Sequence, residues 1–172
     1  MLGELITSKT RLRLLIKFFI SQANRGYLNG LATEMRESTN AIRKELNHLQ
    51  GAGYLEKVKV NNKVEYKANT KHPLFDVLQK VVLKHLGLED VVETVLDRMG
   101  NVDQIILVGD YAKGNDSGTI EVFLIGQDLN MEYISNLEDK IEDLIGRKIS
   151  FYLASKFSSD KEKIILFNSK DK

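Results

Sequence analysis

Residues 38–53 read Ser-Thr-Asn-Ala-Ile-Arg-Lys-Glu-Leu-Asn-His-Leu-Gln-Gly-Ala-Gly, and Tyr54–Ala68 follows without a break. Taken as a helix, the stretch turns Ala41, Ile42, Leu46 and Leu49 to one side, at the spacing of a single buried stripe. The other side then carries Thr39, Asn40, Arg43, Lys44 and Asn47, side chains suited to phosphates and base edges. Ser38 is placed to cap the start, and Gly51 or Gly53 to end it. Beyond it, Tyr54–Val60 alternates apolar and charged residues, and Lys63–Ala68 does so again. Asn61-Asn62 forms the turn between them, because asparagine tolerates a positive φ. The resulting ribbon carries Lys57, Lys59, Lys63 and Lys67.

Upstream, Ser8 caps a first predicted helix in which Leu12, Leu15, Ile16 and Phe19 repeat at one face, ending near Asn24-Arg25-Gly26. Residues Tyr27–Met35 predict a short second helix with Leu28, Leu31, Ala32 and Met35 inward, and Arg36-Glu37-Ser38 is the turn into the third. Two short helices joined this tightly, with a small residue where they cross, form a helix-turn-helix unit. With the basic ribbon, residues Leu5–Thr70 resemble the winged helix-turn-helix of the arsenic-repressor type. That resemblance implies double-stranded DNA as partner and a homodimer with recognition helices in successive major grooves, about one DNA turn apart. Asn40, Arg43 and Asn47 are then expected to read base edges, and Ser38, Thr39 and Lys44 to clamp phosphates. Lys59, Asn62 and Lys63 would reach the backbone from the wing. The cysteines with which arsenic-type repressors sense metal are absent.

The net charge of +1 over 172 residues hides an asymmetry. Residues 1–72 hold 13 Lys/Arg against 6 Asp/Glu, a net of +7; residues 73–172 hold 12 against 18, a net of −6. The front half has the electrostatic footprint of a nucleic-acid binder, and the back half calls for a different partner. With 42% apolar and 28% charged residues, the chain reads as soluble and globular. Without cysteine it has no disulfide, thiolate metal site or thiol nucleophile, which suits a reducing cytoplasm. No apolar run approaches the ~20 residues of a membrane span. The start lacks the order of a signal peptide, so a cytoplasmic protein is expected, with no membrane partner.

Pro73, the only proline, opens an apolar-periodic segment Leu74–Leu86, and Gly87 separates it from Leu88–Met99, where Val91, Val92, Val95, Leu96 and Met99 share a side. Either segment, or the first helix, could serve as a dimer seam. A third block reads strand (Gln104–Val108), loop, strand (Ile120–Ile125), helix (Met131–Ile145), strand (Lys148–Leu153), then an apolar piece Ile164–Phe167. The expected class is α+β: a winged helix over 1–72, a helical connector over 73–100 and a small α/β domain over 101–172.

Within the third block, the run Ile105–Gly126 contains Val-Gly-Asp-Tyr-Ala-Lys-Gly, residues 108–114, followed by Thr-Ile-Glu, residues 119–121. It resembles the nucleotidyltransferase superfamily of the DNA polymerase beta type in minimal form, over about 50 residues from Gln104 to Leu153. In that family the first loop cradles nucleotide phosphates and an acidic pair on the second strand holds magnesium. Gly109 and Tyr111-Ala112-Lys113-Gly114 match the loop, while Asp110 stands where the family has Ser or Gly. Thr119 replaces the first metal-binding Asp, and Glu121 occupies the second acidic place. A threonine hydroxyl is a poor magnesium ligand, and Asp110 repels a triphosphate. The loop Gly109, Asp110, Lys113, Gly114, Thr119 and Glu121 is thus expected to be a degenerate nucleotide site, with no catalysis, cofactor or metal. The chain as a whole then reads as a transcription regulator whose second domain senses an unidentified small molecule, binds a partner or drives assembly. The alternatives are an active magnesium-dependent transferase using Glu121 with Asp116 or Asp110, and a winged helix that binds protein. His48, His72 and His85 lack metal-ligand spacing and are expected to be structural or exposed.

Overall fold

The computed structural model describes residues 2–172 and is α+β, with two sheets. It divides into two compact units, one ending at His85 and one running Leu86–Lys172.

The first unit contains α1 (Lys9–Phe19), β1 (Gly26–Tyr27), α2 (Leu28–Met35), α3 (Thr39–Gly51), β2 (Leu55–Val60), β3 (Lys63–Ala68) and all but the last residue of α4 (Phe75–Leu86). Ser8 caps α1, its Oγ accepting the Arg11 N–H at 3.1 Å. The expected stripe Leu12, Leu15, Ile16, Phe19 is too narrow: Leu14, Phe18 and Ile20 are buried as well, and Leu12 only partly. From Leu14 onward α1 is surrounded on most sides, as expected of a helix apolar around its circumference. Even Lys17 is buried, its Nζ donating to Glu34 Oε1 at 2.8 Å.

Tyr27 does not begin the second helix. Gly26 and Tyr27 are extended and pair antiparallel with Tyr66 and Glu65 of β3, making a sheet of order β1-β3-β2. The Tyr27 hydroxyl donates to Glu65 at 2.7 Å. Position 26 takes glycine because a Cβ there would meet the Leu31 side chain at 2.8 Å. Arg36 then takes a left-handed conformation, φ 53°, which turns the chain between α2 and α3. Ser38 caps α3 through the Ala41 N–H at 3.1 Å. On α3, Ile42, Leu46 and Leu49 are buried, each contributing on the order of 1.5–3 kcal/mol. Ala41 is only half-buried, and the remaining place on the inner face belongs to Glu45.

Asn61 and Asn62 have φ of 48° and 63°, the paired left-handed residues of a two-residue hairpin whose twist matches its strands. Leu55 opposes Ala68 and Lys57 opposes Tyr66, so these four share a face whose inner end is buried as Leu55, Tyr66 and Ala68. Val58 and Val60 have the other parity and stand exposed on the opposite face. The regular alternation in sequence thus changes face partway along β2.

The second unit contains α5 (Leu88–Met99), β4 (Val102–Val108), the short α6 (Gly109–Ala112), β5 (Thr119–Gly126), α7 (Ile134–Ile145), β6 (Lys148–Ala154) and β7 (Ile164–Asn168). The sheet order is β6-β5-β4-β7; α7 is the crossover between parallel β5 and β6, and the other neighbours are antiparallel. The apolar piece after Lys163 is therefore an edge strand. The predicted helix from Met131 begins with a 3-10 turn, Met131–Tyr133, capped by Asn130, and becomes α-helical at Ile134. Leu88, Val91 and Val95 of α5 are buried, while Val92, Leu96 and Met99 are half-buried. Along β5, Ile120, Val122 and Leu124 are fully buried, whereas Glu121 and Phe123 lie on the more open face.

Candidate nucleic-acid interface

All five outward positions of α3 (Thr39, Asn40, Arg43, Lys44 and Asn47) are exposed. One turn of helix separates Asn40 from Arg43, close enough for Arg43 Nη1 to donate to Asn40 Oδ1 at 3.0 Å. Two of the three side chains expected to read bases are thereby held beside each other. Ser38 is exposed too, but its oxygen is committed to the α3 cap. On the hairpin, Lys57, Lys59, Asn62 and Lys63 are exposed around the tip. Lys67 is different: its Nζ lies 3.5 Å from Glu56 on the cross-strand neighbour.

Ion pairing inside the first unit sorts its cations into two sets. Arg11 pairs with Glu45, Arg13 with Glu37, Lys17 with Glu34, Arg25 with Glu65 and Lys67 with Glu56. Every acidic residue of this half except Glu4 is neutralised that way, and none of these pairs uses a cation from the outer face of α3 or the hairpin tip. Among the described residues, Arg43, Lys44, Lys57, Lys59 and Lys63 make no ion pair. Five of the eight cations of residues 1–72 without an ion pair thus lie on one helix face and one ribbon, while Lys9, Arg36 and Lys71 lie elsewhere.

Glu45, which periodicity alone did not single out, anchors that helix. It is 6% exposed on the inner face of α3. Arg11 Nε donates to its Oε2 at 2.8 Å, and the Ser8 hydroxyl to its Oε1 at 3.0 Å. Burial pushes its carboxyl up, but the Arg11 and Ser8 hydrogen bonds together outweigh this and hold it below the usual carboxylate range. The same Ser8 that caps α1 thus ties α1 to α3. The sequence signal was a charge at position 45, three residues after Ile42 and four before Leu49. A buried charge requires a partner, and Arg11 supplies it. Arg13 serves the α2–α3 turn similarly, its Nη1 donating to the Met35 carbonyl at 2.9 Å.

In the second unit, the loop after β4 puts Gly109 at φ 70° and Gly114 at φ 86°. Asp110, Lys113 and Thr119 are exposed, and Glu121 is half-buried. Glu121 packs directly on Gly109: a Cβ on that glycine would fall 2.0 Å from Glu121 Oε2. Gly109→Ala is accordingly expected to cost about 1–3 kcal/mol through its left-handed backbone and the displaced carboxylate. Chemical denaturation of the variant measures this, and an unchanged midpoint would contradict it. Asp116, the other acidic residue weighed as a partner for Glu121, is engaged by hydrogen bonds of its own. It accepts from Arg147 Nε at 3.1 Å and Nη2 at 2.8 Å, and from the Tyr111 hydroxyl. Burial and then this bond push the Tyr111 hydroxyl well above its ordinary value, while the Asp116 hydrogen bond raises Arg147. The Gly118 N–H donates to the Tyr111 oxygen at 3.1 Å, closing the loop. Among the described residues no group of three or more His, Asp or Glu is placed to hold a metal ion, and no helix is long and apolar enough to cross a membrane.

A cleft of about 840 Å³ opens beside this loop, lined by Gly109, Glu121, Phe123, Tyr152 and the segment Lys156–Glu162 among others.

No protein-family model and no curated protein matches the chain. Two solved structures are similar to it in part. One is the AntR antimony-specific transcriptional repressor, with a TM-score of 0.40 and 20% identity over 54% of this chain and 77% of that one. The other is the transcriptional regulator BldR from Sulfolobus solfataricus, with a TM-score of 0.39 and 16% identity over 59% and 70%. At these values neither likeness places the chain in a family.

Proposed function

We propose that the chain is a DNA-binding transcription regulator that reads double-stranded DNA with a winged helix-turn-helix. In this reading α2 and α3 are the helix-turn-helix and the β2–β3 hairpin is the wing. The observation that carries it is the charge sorting of the first unit. Acidic side chains neutralise Arg11, Arg13, Lys17, Arg25 and Lys67 within the fold, and of the eight cations of residues 1–72 without an ion pair among the described residues, five lie on α3 and the hairpin. Cations neutralised at home contribute nothing to counterion release, whereas Arg43, Lys44, Lys57, Lys59 and Lys63 are available for phosphates and bases. Asn40, Arg43 and Asn47 read base edges. Ser38, Thr39 and Lys44 contact phosphates beside them, and Lys59, Asn62 and Lys63 contact the flanking backbone. The regulator acts in the cytoplasm as a homodimer on a two-fold site.

The second unit is a nucleotidyltransferase-like domain without catalysis, used for sensing or assembly. Support comes from Thr119, a neutral residue at the place of the first metal ligand, and from Asp116, which is engaged by Arg147 and Tyr111. Neither residue supplies Glu121 with the acidic partner of a magnesium pair.

Affinity for random duplex DNA measured against salt concentration tests the proposal. A linear fall of log affinity with log salt, with a slope of several units, is expected; binding indifferent to salt would refute it. At a selected specific site, Arg43→Ala is expected to cost about 1–3 kcal/mol and to relax discrimination at one base pair. Equal losses on specific and random DNA would remove its base-reading role.

A further inference from the structure

We infer that the cleft over the open face of the four-stranded sheet binds a small planar aromatic cation. Its floor is an aromatic cluster: Phe123 and Tyr152, cross-strand neighbours on β5 and β6, have ring centroids 5.2 Å apart. Phe157, from the segment after β6, meets Phe123 edge-on at 5.1 Å. Aromatic rings attract positive charge through their electron-rich faces. The chain uses that attraction itself: Lys163, which does not line the cleft, holds its Nζ 4.9 Å from the centre of the Phe157 ring.

The sign of the ligand follows from Glu121. It lines the cleft, is half-buried, and among the described residues makes no ion pair. Its one hydrogen bond is long: the Tyr152 hydroxyl donates to Oε1 at 3.4 Å. The carboxylate therefore retains acceptor capacity beside an aromatic floor. The rim carries Lys113, Lys156 and Lys161 against Asp160 and Glu162, all of them exposed. Exposed rim charges are screened by solvent and salt, whereas a half-buried carboxylate against aromatic walls is screened much less. Glu121 thus decides which charge enters. The cleft volume of about 840 Å³ falls in the range of small-molecule sites and accommodates a two- or three-ring ligand. An anionic nucleotide would place its negative charge against the Glu121 carboxylate.

The cation site lies in the second unit alone, so it goes beyond the DNA-binding proposal and does not depend on it. The test is a fluorescence and calorimetric titration of the full chain, without DNA, using N-methylquinolinium, its anionic counterpart quinoline-2-carboxylate, and magnesium ATP. N-methylquinolinium is expected to bind the wild type, and the two anions not to displace it. Glu121→Gln is expected to weaken binding at least tenfold. Tyr152→Leu, at an exposed position that leaves the core untouched, is expected to weaken it several-fold, which keeps the test decisive if Glu121→Gln fails to fold. Absence of cation binding to the wild type, undiminished binding to a folded Glu121→Gln protein, or tighter binding of either anion would each overturn the assignment.

Discussion

Replacing Arg43, Lys44 and Lys63 together by alanine is expected to flatten the salt dependence of binding to random DNA by roughly three units of slope, at about 0.9 for each phosphate left without its cation. Between 50 and 200 mM salt, that difference makes the wild type lose roughly 40-fold more affinity than the variant. The three side chains come from two elements, the outer face of α3 and the tip of the hairpin, and all are exposed without an ion pair. Their removal should leave the fold intact, because exposed substitutions away from caps and pairs usually change stability by less than about 0.5 kcal/mol. A matched control is Arg13, which carries the same charge but is committed to Glu37 and the Met35 carbonyl. Charge removal there should disturb the α2–α3 turn while leaving the salt slope nearly as it was. A triple variant with the wild-type slope and normal thermal unfolding would mean that DNA, if bound, meets another surface.

The second large effect concerns stability. Glu45→Ala is expected to destabilise the first unit by about 2 kcal/mol, near the middle of the range for hydrogen bonds to a charged group. The full penalty of a broken buried ion pair, about 3–5 kcal/mol, does not apply. Arg11 is one-third exposed and regains water when its partner leaves. For a unit of this size the destabilisation corresponds to a fall in Tm of roughly 10 °C. The pH dependence has a definite sign. Glu45 has a carboxyl held below its ordinary value of 4.5, so the folded state binds its proton less readily than the unfolded chain. Its contribution is therefore complete above the ordinary value and is lost as the pH falls through the lower, folded value. Chemical denaturation of wild type and Glu45→Ala at pH 7 and pH 3 should show the difference narrowing in acid. A gap of the same size at both values would show that Glu45 acts by packing rather than by charge.

Much of the local structure was legible in the residues. Ser8 and Ser38 announced two helix starts, and both accept the backbone N–H three residues on. Asn61-Asn62 announced a tight hairpin, and both have positive φ. These features are local: a cap or a two-residue turn needs only its neighbours in sequence, so its chemistry can be read from them. The outer face of α3 was legible for the same reason, since helical period assigns Thr39, Asn40, Arg43, Lys44 and Asn47 to one side whatever covers the other. The misreadings were non-local. Gly26-Tyr27 became a strand because β3, some forty residues later, offers Tyr66 and Glu65 as partners. Leu14 and Phe18 lie outside the stripe that periodicity assigns to α1 and are buried all the same, because only the surrounding elements determine how much of a helix is enclosed.

The sequence by itself determined where α1 and α3 start, where the hairpin turns, and which side chains of α3 face outward, because each depends on period or on neighbouring backbone. Only the tertiary structure decided which charges remain for a partner. Residues 1–72 hold 13 cations and 6 anions, but the pairing of Arg11, Arg13 and Lys17 with acids on α2, the turn and α3 joins residues 17 to 34 positions apart. Likewise Asp116 is claimed by Arg147, on the loop before β6 and 31 residues away in sequence. Charge acts through space rather than along the chain, so its final distribution exists only once the fold has brought distant groups together.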